Sequence, residues 1–120
     1  LGRPLPYGSP GLPPIDETPR PPEETIAYAR GLLDQGRPFA AHEALEVRWK
    51  SCPEQERPLW QGLAQVCVAL THAERGNAVG AARLVERATG HLRSYADGDA
   101  PTYGLDLDDL LACARRRVDG

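Results

Sequence analysis

Apolar residues recur at helical spacing along most of this chain, whereas no stretch shows the alternation typical of a β-strand. The clearest pattern lies between residues 39 and 75, where it predicts a helical hairpin. The first arm of this hairpin is Phe39–Lys50, and the second runs from about residue 56 to residue 75. The second arm is apolar around much of its circumference, so we expect it to be the central and most buried helix.

Three further helices are predicted around this hairpin. The first opens at Pro21-Pro22-Glu23-Glu24, because proline and acids suit a first helical turn, and it ends at Gly36. Asn77 and Asp106 are the expected caps of the fourth and fifth helices. The predicted buried stripes are Ile26, Ala29 and Leu33 in the first helix, Ala81, Leu84, Val85, Ala88 and Leu92 in the fourth, and Leu107, Leu110, Leu111, Ala114 and Val118 in the fifth. The expected fold class is all-α, a single-domain bundle of about five antiparallel helices around the central hairpin Phe39–Arg75.

The first 21 residues differ in character from the rest of the chain. They hold seven of the twelve prolines and show no helical period. This composition predicts an extended Pro/Gly-rich arm at residues 1–21, followed by a helical-bundle domain at residues 22–118.

Polar side chains interrupt the apolar faces of both hairpin arms. On the first arm, His42 and Glu46 fall within the apolar sector, Glu43 sits on its border, and Arg48 points away from it. Burying an unpaired carboxylate costs several kcal/mol or forces it to take a proton, so the inward-facing pair requires partners.

The second arm carries the complementary pattern. Gln61, Gln65 and His72 share a narrow stripe, and buried amides are usually hydrogen-bonded. In an antiparallel hairpin that turns near Cys52-Pro53, Glu46 lies opposite roughly Trp60-Gln61 and His42 lies opposite roughly Ala64-Gln65. The same register places His72 about 12 Å further along the helix, too far to join His42. We therefore expect the His42/Glu46 stripe to meet the Gln61/Gln65 stripe.

Composition narrows the classes of function. The 120 residues suit one domain, and a hydrophobic content of 41% permits a small core. A net charge of −3 and a pI of about 5.6 make a nucleic-acid-binding surface unexpected. No apolar stretch of about 18 residues predicts a membrane span, and no signal peptide is expected. Cys52, Cys67 and Cys113 form no CxxC pair, so neither a disulfide framework nor a zinc site is predicted, and the expected setting is a reducing cytoplasm.

Three motifs occur in order along the chain. They are Phe39-Ala-Ala-His42-Glu43-Ala-Leu45-Glu46-Val-Arg-Trp49, then Trp60-Gln61-Gly62-Leu63-Ala-Gln65, then Thr71-His72-Ala-Glu-Arg75-Gly76-Asn77 with Gly80-Ala81-Ala-Arg-Leu84. Together they resemble the DUF309 family, small bacterial and plant proteins without an established function, over roughly Pro22 to Tyr95. The resemblance implies an all-helical bundle whose characteristic positions are His42, Glu43, Glu46, Trp49, Gln61, Gln65 and His72. It departs from the family at Ala40, where many relatives carry a polar or larger residue.

Three interpretations of the polar residues stay open. The first is a structural network in which His42 and Glu46 bond to each other or to Gln61 and Gln65, joined by the tryptophan N–H groups. The second is a pocket for a small polar or anionic ligand or a peptide, walled by tryptophans. The candidate ligand-binding residues are His42, Glu43, Glu46, Trp49, Trp60, Gln61, Gln65 and His72.

The third interpretation is a metal-assisted enzyme. His42 and Glu46 stand at i and i+4 on one helix face, but they supply only two ligands. We therefore predict no catalytic residue, metal ligand or cofactor, and the sequence leaves open whether the protein is an enzyme. The partners considered are a small ligand and, as a residual hypothesis, a second copy of the chain bound through the fourth or fifth helix.

Overall fold

The computed structural model describes residues 18–119, which form five α-helices and no strand. The helices are α1 Pro22–Asp34, α2 Pro38–Ser51, α3 Arg57–Glu74, α4 Ala78–Ala96 and α5 Leu107–Asp119, with a 3₁₀ turn at Glu54–Glu56 between α2 and α3. The predicted all-α class and single-domain bundle are confirmed. Most of the arm predicted at residues 1–21 lies outside the described residues.

Two glycines end α1 and α3 in the same way. Gly36 has φ 73° and Gly76 has φ 79°, a left-handed conformation that glycine adopts without steric cost. The residue after each glycine donates its backbone N–H to a carbonyl five residues earlier, at 2.9 Å after Gly36 and 2.8 Å after Gly76. This closure turns the chain sharply, so the next helix folds back against the one before it.

Side chains cap the starts of α4 and α5, as the sequence predicts. Asn77 Oδ1 accepts a hydrogen bond from the backbone N–H of Gly80 at 2.9 Å. Asp106 Oδ1 accepts from the backbone N–H of Asp109 at 3.0 Å. Both caps satisfy N–H groups that have no partner within the helix.

Helix α3 occupies the centre of the bundle, as expected. Ten of its eighteen residues are buried, and it packs against α2, α4 and α5. Its most extensive interface is with α4, so the predicted hairpin with α2 is one of two that share this helix. In the part of the chain that the structure describes, no helix has the length and apolarity needed to cross a membrane.

The buried stripe of α1 is narrower than its apolar spacing predicts. Ala29 is buried, but Ile26 and Leu33 are only half-buried, and Leu32 takes their place in the core. The reason is that α1 packs against α2 on one side only. Its other side stays open toward α5.

Gly62 determines how closely α3 and α4 approach. A Cβ atom added to Gly62 would lie 2.7 Å from both Cγ and Cδ2 of Leu92, closer than carbon atoms tolerate. Leu92 is fully buried, so it cannot move aside freely. The close approach also brings the neighbouring His91 within reach of α3.

We expect Gly62→Ala to lower the free energy of unfolding by about 1 kcal/mol. Overpacking costs about 1–3 kcal/mol, which outweighs the gain of about 1 kcal/mol that alanine brings to a helix interior. Urea denaturation followed by circular dichroism measures the change. Gly90→Ala is the matched control, because a Cβ added at this exposed position in α4 meets nothing within 4 Å. The control should gain about 0.5–1 kcal/mol, and an equal gain in both variants would contradict the tight contact.

Candidate functional site

Helices α2 and α3 border an open cavity of about 180 Å³, the α2/α3 cavity. It is lined by His42, Glu46 and Trp49 of α2 and by Gln61, Ala64, Gln65 and Val68 of α3. These positions recur every three or four residues on each helix, so they form two facing rows. The structure thus brings the His42/Glu46 stripe to the Gln61/Gln65 stripe, as the spacing predicts, while a ligand-binding role for them stays a prediction.

His42 and Glu46 form a pair one helical turn apart. Nε2 of His42 lies 3.5 Å from Oε2 of Glu46, and the exposed fractions of their side chains are 17% and 41%. The imidazole therefore lies inside and the carboxylate at the mouth. The Phe39 ring lies 4.9 Å from the imidazole, centroid to centroid. Nδ1 of His42 is buried and has no hydrogen-bond partner in residues 18–119.

Gln65 is oriented by a histidine from a third helix. Its Oε1 lies 2.9 Å from Nδ1 of His91 on α4. An amide oxygen can only accept, so this contact requires His91 to carry its proton on Nδ1. His91 is not among the residues predicted for the site, although it stands three residues after Ala88 and four before Tyr95, both buried. That position on the inner face of α4 is the signal that could have identified it.

Trp49 lines the cavity, as expected, and contacts a cation. The guanidinium carbon of Arg57 lies 4.6 Å from the centre of the Trp49 ring, a cation–π contact. The indole Nε1 of Trp49 is buried and has no hydrogen-bond partner among the residues described. The structural-network hypothesis has the tryptophan N–H groups join His42, and the Trp49 N–H does not do so within the described residues.

Trp60 does not line the cavity. It is 0% exposed, and its indole N–H donates to Oε1 of Glu56 at 3.0 Å. Successive residues on a helix point about 100° apart, so Trp60 turns inward while Gln61 faces the cavity. The expectation that both tryptophans flank the same polar stripe is corrected by this geometry.

Glu43 and His72 also lie away from the cavity lining. Glu43 is half-buried on α2. His72 lies near the end of α3, where its Nδ1 is 3.1 Å from Nδ2 of Asn77. The absence of His72 from the lining that includes His42 agrees with the predicted register. Residues 18–119 contain no group of three or more His, Cys, Asp or Glu side chains arranged to hold a metal ion.

A second polar group, the Glu56 cluster, consists of Glu56 with Arg48, Trp60 and Tyr103. The Glu56 carboxylate is 5% exposed. Its Oε1 accepts from Trp60 Nε1 at 3.0 Å and from Arg48 Nη2 at 3.4 Å, and its Oε2 accepts from the Tyr103 hydroxyl at 2.6 Å. Arg48 lies off the sector of α2 that faces the cavity, as the helical spacing predicts, and its guanidinium contacts this buried carboxylate.

These hydrogen bonds decide the protonation of the cluster. Burial acts to raise the pKa of Glu56, but the hydrogen bonds from Tyr103, Trp60 and Arg48 outweigh it and leave the pKa below its ordinary value. The hydrogen bond to Glu56, reinforced by burial, raises the pKa of Tyr103 to about 12. Tyr103 also has φ 53°, a conformation that few residues other than glycine adopt.

The Glu56 cluster is only partly visible in the sequence. Glu56 stands four residues before Trp60, so both fall on one helical face. Tyr103 is 47 residues from Glu56 and lies in the loop before α5. No local pattern links residues that far apart. The cluster is closed on itself, in contrast to the α2/α3 cavity, so its main role is to hold elements together.

Comparisons with known proteins agree with the motifs in the chain. The sequence model of the family described as "Domain of unknown function (DUF309)" matches residues 26–84, which include every residue that lines the cavity. A 74-residue stretch is 46% identical to "Uncharacterized protein YpuF" of Bacillus subtilis (strain 168). This stretch covers 61% of the present chain and 42% of YpuF, so the chain spans less than half the length of that relative. No solved structure matches the chain.

Glu56→Gln is expected to lower the free energy of unfolding by about 2–3 kcal/mol at neutral pH, because it removes the charge that strengthens three buried hydrogen bonds. Glu54→Gln, an exposed position in the same 3₁₀ turn, should change stability by less than about 0.5 kcal/mol.

The folded pKa of Glu56 is depressed, so the stabilisation is present above the ordinary pKa of 4.5 and is lost as the pH falls through the folded pKa. Urea titrations at neutral and acid pH should show that the difference in the free energy of unfolding between wild type and Glu56→Gln becomes smaller in acid. A difference that stays constant would contradict a charge-dependent role.

Tyr103→Phe tests the other side of the same contact. It should cost about 1–2 kcal/mol at neutral pH, since Glu56 loses one donor. The folded pKa of Tyr103 is raised from 10 to about 12, so its contribution is present below pH 10 and is lost as the pH rises to about 12. Stability measured against alkaline pH should therefore fall more steeply in wild type than in Tyr103→Phe. Identical slopes would show that ionisation of the Tyr103 phenol does not change the free energy of unfolding.

Proposed function

Residues 26–84 of this chain belong to the DUF309 family, whose description records no activity, and we propose from the geometry of α2 and α3 that the protein binds a small polar molecule in the α2/α3 cavity. One observation carries the proposal. Five side chains that can form hydrogen bonds converge from two helices on an open space and make few bonds with one another. They are His42, Glu46, Trp49, Gln61 and Gln65.

The chemistry of these side chains supports binding over a purely structural role. A closed structural network pairs most of its buried polar atoms. In the Glu56 cluster both carboxylate oxygens, the Trp60 N–H and the Tyr103 hydroxyl are paired, although Arg48 Nε has no partner in the described residues. At the α2/α3 cavity the buried ring nitrogens His42 Nδ1 and Trp49 Nε1 have no hydrogen-bond partner in the described part of the chain. His91 holds the oxygen of Gln65, so the amide nitrogen is the end that remains for a ligand. The cavity thus offers a carboxylate, an imidazole and two amides, which recognise hydrogen-bond donors and acceptors.

The size and charge of the cavity limit the kinds of molecule that it can bind. The volume of about 180 Å³ lies below the range of about 300–1,000 Å³ that is typical of pockets for drug-sized ligands, which favours a small molecule. Glu46 is the formally charged side chain in the lining, because Arg57 stacks on Trp49 without lining the cavity. An anion would face this carboxylate without compensation. The proposed ligand is therefore a small neutral or cationic molecule with several hydrogen-bonding groups.

No observation favours a metal-assisted reaction as a second function. His42 and Glu46 supply two ligands, and residues 18–119 place no third His, Cys, Asp or Glu beside them in a metal-binding arrangement. Structural and catalytic metal sites use three or four protein ligands.

The proposal includes a bacterial cytoplasm as the setting. The three cysteines are free thiols, which suits a reducing compartment, and the similar YpuF comes from a bacterium. Burial raises the pKa of the Cys67 thiol to about 12, so this cysteine is an inert part of the core. Fractionation of the cells that express the protein, followed by immunoblotting, tests the assignment; recovery in the secreted fraction would refute it.

The binding proposal is tested by a thermal-shift screen of amines, polyols, amino acids and carboxylic acids of up to about ten non-hydrogen atoms. A compound at about 100 times its Kd adds about 2.7 kcal/mol of stability, which raises Tm by about 10 °C in a domain of this size. We expect such a shift from a neutral or cationic compound with wild type. His42→Ala and Gln65→Ala should each abolish it.

His72→Ala is the matched control, because His72 lies on the hairpin but not in the cavity lining. It should keep the full shift. A screen without any stabilising compound would refute the proposal. So would a shift that survives both His42→Ala and Gln65→Ala, since the compound would then bind elsewhere.

A further inference from the structure

A second open region lies on another side of the bundle, between α1 and α5. This α1/α5 cleft has a volume of about 310 Å³. Val66 and Leu70 of α3 form its apolar floor, and Arg30 and Leu33 form the wall on α1. Helix α1 packs on α2, whereas α5 packs on α3 and α4, so the cleft stays open between them. Its lining shares no residue with the α2/α3 cavity.

The α5 wall of the cleft carries an ordered pattern of charge. Asp109 lies near the start of α5, Arg117 lies near its end, and Cys113 lies midway between them. All three are exposed. Steps of four residues place them about 40° apart on one face of the helix, and Asp109 and Arg117 are about 12 Å apart along the axis. One end of this face is therefore acidic, the other end is basic, and a small thiol occupies the centre.

We propose that this face binds a second copy of the chain, with the two α5 helices antiparallel about a two-fold axis near Cys113. In a two-fold dimer the same surface meets itself. Because Asp109 and Arg117 are equally distant from Cys113, each Asp109 then faces the partner's Arg117. Two ion pairs form symmetrically around the axis. A parallel arrangement would oppose acid to acid and base to base, so the charges select the antiparallel one.

The apolar part of the cleft adds to the interface. Leu33 of α1 and Leu110 of α5 are half-buried in the single chain and lie beside the charged face. A second α5 seated along the cleft removes them from water, which is the main source of favourable free energy in association. The ion pairs at the two ends then determine the orientation and register.

The geometry makes Cys113 a reporter of this arrangement. Packed helices lie about 8–10 Å apart, and each Cα lies about 2.3 Å from its helix axis. Two facing Cys113 Cα atoms are then about 3.4–5.4 Å apart, which overlaps the range of about 4.4–6.8 Å found in disulfides. Cys52 is half-buried and Cys67 is buried, so neither is placed to cross-link in the same way.

Charge reversal tests the ion pairs. Light scattering coupled to size exclusion should give wild type at twice the 13.1 kDa mass of one chain. Asp109→Arg and Arg117→Asp should each raise the dimer Kd by about tenfold or more, because each reversal opposes like charges twice per dimer. The double variant Asp109→Arg/Arg117→Asp restores opposite charges at both sites, so it should recover the wild-type Kd to within about threefold.

Asp108→Arg and Arg116→Asp are the matched controls. Asp108 and Arg116 are exposed, lie in the same turns of α5 and do not line the cleft. Reversing their charges disturbs the helix dipole to the same extent but leaves the proposed ion pairs intact. Their dimer Kd should stay within about threefold of wild type. Circular dichroism verifies that every variant keeps its helices.

Disulfide trapping tests the position of the axis. With copper–phenanthroline as the oxidant, two Cys113 thiols lose two protons and pass two electrons to copper as the S–S bond forms. A dimer band should appear on a non-reducing gel, disappear with dithiothreitol and be absent in Cys113→Ser. Asp109→Arg should weaken the band, and the double reversal should restore it.

Three outcomes would overturn the inference. The first is a wild-type protein that stays a monomer at the highest attainable concentration. The second is a dimer whose Kd is unchanged by either single charge reversal. The third is a double variant whose dimer Kd is as high as that of the single variants. The α2/α3 cavity lies apart from this face. None of these results would therefore alter the ligand-binding test.

Discussion

A buried carboxylate holds three parts of this small bundle in one arrangement. Glu56 lies between α2 and α3, and it accepts hydrogen bonds from Arg48 of α2, Trp60 of α3 and Tyr103 of the loop before α5. A charge taken out of water costs several kcal/mol, which only close and well-directed hydrogen bonds repay. The three donors therefore tie α2, α3 and the loop before α5 to one carboxylate.

The α2/α3 cavity lies on the other side of the same hairpin. Arg48 and Trp60 face the Glu56 cluster, and the next residue on each helix, Trp49 and Gln61, faces the cavity. The same hairpin thus has a closed polar cluster on one side and an open one on the other. Helix α4 also contributes to the cavity. Gly62 has no side chain, so α4 comes close enough to α3 for His91 to orient Gln65.

A bundle of this size cannot cover every helix on all sides, because small domains bury a smaller fraction of their surface than large ones. Among the regions that stay open in residues 18–119, the α2/α3 cavity and the α1/α5 cleft differ in their chemistry. The cavity is lined mainly by uncharged hydrogen-bonding groups, which suits a small polar molecule. The cleft has an apolar floor and opposite charges along one helix, which suits a second copy of the chain.

Local pattern in the chain was sufficient for the helices, their caps at Asn77 and Asp106, the central place of α3 and the meeting of the two polar stripes. These features depend on contacts within a few residues or on the 3.6-residue period, both of which can be read along the chain. Packing alone decided which polar groups became buried together. Tyr103 reaches Glu56 across 47 residues and His91 reaches Gln65 across 26. Such pairs depend on how the helices rotate and approach one another, and no local period encodes that.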